Sequence, residues 1–255
     1  NAVLAVIAAL YAYIPESGDK LGQDEILLRK YLWYSFFTDR YENAAASRAF
    51  ADFNVLKRII TGESKQDGSK YGIEDVPIFS EHNLAEVEEL MTAEWPKGGT
   101  IRGRGVLAVA CRLGALDFAT GEHLNAGNIE RRHYHHLYPD ALMKEAGINS
   151  YLALNCALIA DTTNIAIGRE DPMQYLMDRY KWTSDTIVSE RLQSHLIPIE
   201  ELKNGGYEGL SDSEKNAKLV TDFDAFVRRR AELVFKAVKQ LSESRQLSAS
   251  EIYRG

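Results

Sequence analysis

Arg131-Arg132-His133-Tyr134-His135-His136-Leu137-Tyr138-Pro139 is the stretch on which the reading of this chain turns. Half of the chain's six histidines fall within it. Neutral imidazole is the commonest metal ligand, and its unperturbed pKa lies near neutrality. The stretch from Ile129 to Tyr138 is rich in Tyr and His without a helical period, which predicts a strand or an irregular hairpin. In an extended segment side chains alternate, so His133 and His135 share one face and His136 points to the other. Adjacent histidines facing apart can take different jobs: one binds a metal, the other removes a proton from water.

Working outward, Leu152 to Ala160 is apolar and predicts a second strand. Asp161, Thr162 and Thr163 then offer capping groups for a helix through Asn164 and Ile167. An amide oxygen at a helix head, such as that of Asn164, suits a hard divalent cation. A strand amide, such as that of Asn155, can hold an imidazole in one tautomer through its other ring nitrogen.

Upstream the pattern is helical. Asn1 to Ile14 is nearly all apolar and uncharged, too short for a membrane span and without the basic leader of a signal peptide. Starting with Asn inside a helical pattern, the chain reads as the C-terminal part of a longer protein, its first helix buried or covered by a missing domain. Asp24 predicts a cap for a helix whose apolar face includes Leu28, Tyr31, Leu32 and Phe36. Phe50, Phe53, Val55, Leu56 and Ile59 predict a buried stripe that ends at Gly62. Glu63 to Tyr71 reads as a mobile polar loop, and helix resumes near Asn83. Pro96, Gly98 and Gly99 form the best linker, giving a helical lobe over 1–97 and a second domain over 98–255. Gly105 to Leu116 predicts a further helix, and Trp182 to Leu196 one amphipathic segment. Thr221 to Leu241 is the clearest helix, with Phe223, Phe226, Val227, Val234, Val238 and Leu241 on one stripe. The fold class expected is mainly α with a small β-hairpin.

At 255 residues, 45% hydrophobic and 26% charged, the composition is that of a globular protein with ample material for a core. A net charge of −7 argues against nonspecific coating of nucleic acid but leaves room for a local basic face. Cys111 and Cys156, both in apolar stretches, make no disulfide framework and no Cys-x-x-Cys zinc site. They read as buried reduced thiols in a cytoplasmic protein. No P-loop or GxGxxG occurs.

Arg131-x-x-x-His135-His136-x-x-Pro139, with Asn155 and with Asn164 ahead of Gly168 and Pro172, resembles the RxxxHHxxP motif of the DUF1524 domain. That His-Me finger (HNH-like) nuclease domain lies at the C-terminus of DUF262-type bacterial antiphage and restriction factors, of the GmrSD and phosphorothioate-sensing SspE kinds. Asp117 to Gly121, Arg191, His195, Pro198 and Phe226 to Ala231 sit where that domain carries similar residues. The resemblance is sharp from about 115 to 200. It departs at His133, an extra histidine, and at His135, where many relatives have an acidic residue. It implies a ββα-metal element embedded in helices. His136 would be the general base, Asn155 its orienting group, His135 and Asn164 the ligands of one Mg²⁺ or Mn²⁺, and Arg131 the contact to the scissile phosphate. Arg132, His133, Arg191 and His195 are secondary candidates for DNA contact. The implied partners are double-stranded DNA and an upstream DUF262-like domain of the same protein, with an oligomer possible and no membrane.

Other readings of the same residues stay open. His133, His135 and His136 could form a structural zinc site, short of a fourth ligand. Arg228-Arg229-Arg230 reads as a solvated face with salt bridges to Glu232 and Asp224. Arg191 and His195, four apart on one helix face, suit packing under the active centre better than direct chemistry. A degenerate nuclease serving as a DNA-binding or assembly module, and a toxin-type ribonuclease, are the alternative functions.

Overall fold

The computed structural model describes residues 2–98, 100–168 and 170–254. Asn1, and Gly99 of the expected linker, lie outside them. Two compact units are formed, Asn1–Ala85 with Val238–Gln246, and Glu86–Ala237 with Leu247–Gly255. The division thus falls at Glu86, ahead of the Pro96–Gly98 linker, and the end of the last long helix belongs to the first unit.

The first unit contains α1 (Ala2–Leu10), α2 (Asp19–Phe37), α3 (Ala45–Thr61) and α4 (Pro77–Ser80). Its core gathers Leu10, Tyr31, Leu56, Ile60, Val76 and Ile78. Gly62 ends α3 in the left-handed region (φ 72°), its N–H satisfying the last carbonyls. Two expectations are corrected, at Asp24 and Phe50. Asp24 is no cap: α2 begins at Asp19, and Asp24 lies buried inside it, paired with Lys20. Phe50 is 64% exposed, because the core face of α3 runs through Ala49, Leu56 and Ile60 instead. Residues 63–71 close on themselves, through a Ser64–Lys70 bridge and a turn in which Asp67 accepts from the Ser69 N–H.

The second unit carries α5 (Val87–Met91), α6 (Ile101–Arg112), β1 (Arg132–His136), α7 (Asp140–Glu145), β2 (Cys156–Ala160) and α8 (Asp161–Ile167). After these come α9 (Pro172–Trp182), α10 (Asp185–Gln193), α11 (Ile199–Leu202), α12 (Asp212–Ser242) and α13 (Ala249–Arg254). β1 and β2 form a two-stranded antiparallel sheet, pairing Arg132 with Ala160 and His136 with Cys156. The fold is mainly helical with one small hairpin, as the sequence predicts.

Local chemistry explains the breaks. Thr100 caps α6 by accepting from the Gly103 N–H. Gly103 itself permits a close approach, since a Cβ there would meet the Glu94 carbonyl oxygen at 2.2 Å. Trp182–Leu196 is two elements, not one. Ser184 caps α10 and Thr183 is extended, so the helix stops and restarts, leaving Trp182 82% exposed. In α12 the stripe Phe223, Phe226, Val227, Val234, Val238 and Leu241 is buried throughout. Arg230 shares that buried side, which corrects the solvated-face reading. Its guanidinium donates to the carbonyls of Leu154 (2.7 Å), Cys156 (3.0 Å) and His195 (3.0 Å). Arg229 pairs with Glu232 as expected, whereas Arg228 pairs with Glu88. Both cysteines are free; Cys156 is buried and Cys111 half-buried. Among the described residues no helix is long and apolar enough to cross a membrane.

Candidate active site

The antiparallel strand pair and the helix that follows it bring two of the sequence candidates, His135 and Asn164, together. β2 ends at Ala160 and α8 starts at Asp161 without a loop, so the first turn of α8 stays beside β1. His133 and His135 lie two apart on β1, and Asp161 and Asn164 three apart on α8. These two faces meet: His133 Nε2 lies 3.1 Å from Asp161 Oδ1, and His135 Nδ1 lies 3.0 Å from Asn164 Oδ1. Asp161 and Thr162 therefore do not cap α8, whose N-cap position is Ala160 with no side-chain bond. Thr163 turns inward, donating its hydroxyl to Asp117.

His136 points to the other side of β1, as the alternation requires. Its ring stacks on Trp95 at 4.1 Å between centroids and meets Tyr151 edge-on at 5.0 Å. Its Nε2 is buried and has no hydrogen-bond partner among the described residues. Three histidines facing Asp161, Asn164 and Trp95 separately do not make a zinc site. Among the described residues no three His, Cys, Asp or Glu side chains gather into a metal-holding group.

An open depression of about 490 Å³ connects the two sides, lined by His135, His136, Pro139, Asp140, Lys144 and Asn164 among others. Burial holds the His135 imidazole down at about 4, against the bond from Asn164, and the neighbouring His136 adds to the lowering. Burial also lowers His136, while the Asp140 carboxylate acts in the opposite sense. Both rings are therefore neutral near pH 7, the form needed by a ligand or a base.

The remaining candidates take other roles. Asn155, fully buried, spends its amide on backbone: its Oδ1 accepts from the Tyr138 N–H at 2.8 Å, and its Nδ2 donates to the carbonyls of Tyr138 and Ser150, each at 3.0 Å. It therefore fixes the exit of β1 and makes no bond to His136, which corrects the tautomer role expected for it. Arg132 is buried rather than free for DNA, bonded to Glu122 at 2.6 Å with Asp117 at 3.6 Å. Arg191 donates to the Phe118 and Ala119 carbonyls, and His195 Nε2–H to the Leu116 carbonyl at 2.8 Å. Both are spent on carbonyls of the 116–119 segment, and because α10 ends at Gln193, His195 lies past the helix and does not share its face with Arg191. His133 is exposed. So is Arg131, which is not among the residues lining the depression and whose nearest bond is 3.5 Å to the Gly127 carbonyl.

Asp117, Asp140 and Trp95 matter more than sequence reasoning suggests. Asp117 accepts from the N–H groups of Ala119, Thr120 and Ala160 and from the hydroxyls of Thr120 and Thr163. Burial opposes its ionisation, but these bonds hold its carboxyl below the usual range. It thereby anchors the β2–α8 junction. The signal was present as Asp117-x-x-Thr120-Gly121, an Asx-turn pattern. Asp140 accepts from the Ser150 hydroxyl and so ties α7 to the loop before β2. For Trp95 no local signal exists, because only the fold brings its segment to β1. There the Trp95 N–H donates to the Tyr151 carbonyl at 3.0 Å, and the Ala153 N–H to the Ala93 carbonyl at 2.8 Å.

Of the residues expected to hold a divalent cation, His135 and Asn164 are brought together. The Asn164 amide oxygen and the His135 imidazole converge at the depression, with the Asp140 carboxylate on the same lining. Oxygen and imidazole donors, with room left for water and phosphate, suit Mg²⁺ or Mn²⁺.

Comparison with known proteins adds one relative. No protein-family model matches the chain. No solved structure matches it either. The chain is similar to an uncharacterized protein of Methanocaldococcus jannaschii, 23% identical over 229 residues, which cover 84% of this chain. It spans 37% of that relative's length.

Proposed function

We propose that the second unit is a metal-dependent phosphodiester hydrolase of the His-Me finger kind that nicks duplex DNA. The observation that carries this reading is the meeting of His135 from β1 with Asn164 from α8 at 3.0 Å, on a depression that also receives His136. The order β1, α7, β2, α8, in which the second strand of the antiparallel pair runs straight into a helix, supports it. So does the resemblance of the Arg131–Pro139 motif to that nuclease family.

His136 is the general base. Trp95 and Tyr151 fix its ring plane, and its neutral form accepts a proton from water as the water oxygen bonds to phosphorus and the 3′ oxygen leaves. A positioned imidazole of this sort contributes about 10²–10⁴ in rate. His135 and Asn164 would hold the cation, which when bound supplies positive charge beside the phosphate. Asn155, Asp117 and the Asp140–Ser150 bond keep strand, helix and depression in register. On the resemblance, this unit is the cutting part of a cytoplasmic antiphage factor whose DUF262-like domain lies upstream.

The test is a cation titration of plasmid nicking. Removing the amide oxygen in Asn164→Ala should raise the Mg²⁺ or Mn²⁺ concentration for half-maximal nicking tenfold or more. Cation dependence equal to that of the unmodified protein would reject the ligand assignment.

A further inference from the structure

A nuclease site needs a cation of its own to seat the phosphate, and Arg131, the residue expected to do so, does not line the depression. Among its described lining residues, Lys144 is the one that carries an ammonium or guanidinium group. Lys144 sits in the last turn of α7, exposed, four residues after Asp140 and three after Ala141. All three line the depression, so one face of α7 forms its wall. The natural i,i+4 partner of Lys144 is Asp140, but that carboxylate takes the Ser150 hydroxyl, and no ion pair of Lys144 is found among the described residues. Asp140 leaves the rim a negative charge, which would repel a nucleic-acid backbone unless a cation stood beside it.

We propose that Lys144 is the residue of this site that binds the DNA phosphate backbone, in place of Arg131. The proposal rests on the nuclease reading above and names the residue that seats its substrate. A lysine suits the task as a mobile point charge on a flexible stem, able to follow the phosphate without a fixed fork geometry. It neutralises one phosphate and releases the counterion condensed there, which leaves a measurable signature in salt dependence.

The experiment measures binding of a short fluorescent DNA duplex in Mg²⁺ across a salt series, in the His136→Ala background so that cutting does not intervene. Lys144→Ala should lower the slope of log K against log salt by about 0.9 and weaken binding roughly five- to tenfold near 0.1 M salt. Lys144→Glu should weaken it further, and Lys203→Ala, on another part of the unit, should match the parent. Because Lys144 is exposed, thermal melting of each variant should equal the parent's. Parental slope and affinity in Lys144→Ala, or loss of the slope in Arg131→Ala instead, overturns the proposal while the nuclease reading stands. No duplex binding by the parent, together with no nicking by the unmodified protein, removes both.

Discussion

His195 is 1% exposed and donates to the Leu116 carbonyl, with the Phe118 ring edge-on at 5.0 Å. Burial pushes its pKa down to about 4; the bond to Leu116 and the Asp117 carboxylate oppose the shift, and Arg230 and His135 reinforce it. In the unfolded chain the ring titrates near its ordinary value of about 6.5. The unfolded state therefore binds the extra proton between about pH 6.5 and 4. The stabilisation is complete above that window and is lost as pH falls through it, at up to about 1.4 kcal/mol per pH unit. His195→Gln keeps an N–H donor but cannot titrate. Its urea midpoint should consequently fall less between pH 7.5 and pH 5 than that of the unmodified chain, and an equal fall would contradict the account. At this scale the opposite facing of His135 and His136 was legible, because an extended backbone alternates its side chains. It misled where one neighbour in a run turns inward: Arg228 and Arg229 are half-exposed, yet Arg230 between helix and strand is buried on three carbonyls.

Among elements, the hairpin and α8 act together, because Asp117 and Asn155 lock their ends by side-chain bonds to backbone. Asn155 satisfies the buried N–H of Tyr138 and two carbonyls. Asn155→Ala leaves these groups unpaired and should cost about 2–4 kcal/mol of stability, read as a lowered denaturant midpoint. A variant as stable as the parent that has lost its nicking would instead restore a chemical role for Asn155. Both strands and α8 were readable because period and texture change sharply at Ile129 and Asp161. The break between α9 and α10 was not read, although Ser184-Asp185 carries a capping signature, because apolar spacing continues across it. Asn155 itself shows why a motif position does not fix a role. The same amide can serve a ring nitrogen or a strand exit, and only tertiary placement decides between them.

For the whole molecule, a net charge of −7 means that the DNA binding proposed for it would have to be local, concentrated at the depression of the second unit. The two-unit organisation was legible in outline from the helical first stretch. Its boundary was not, because Trp95 and its neighbours join β1 and the loop before β2 through contacts that no local pattern announces. The return of residues 238–246 to the first unit was equally hidden, since α12 is one unbroken helix in sequence. The proposed nuclease reading rests on His136 as a base beside the His135–Asn164 pair. The most direct measurement is Mg²⁺- or Mn²⁺-dependent conversion of supercoiled plasmid to open circle by the purified chain and by His136→Ala. The account predicts nicking by the unmodified protein that falls by about 10²–10⁴ in the variant, with thermal melting retained. Undiminished nicking by a folded His136→Ala protein would contradict it.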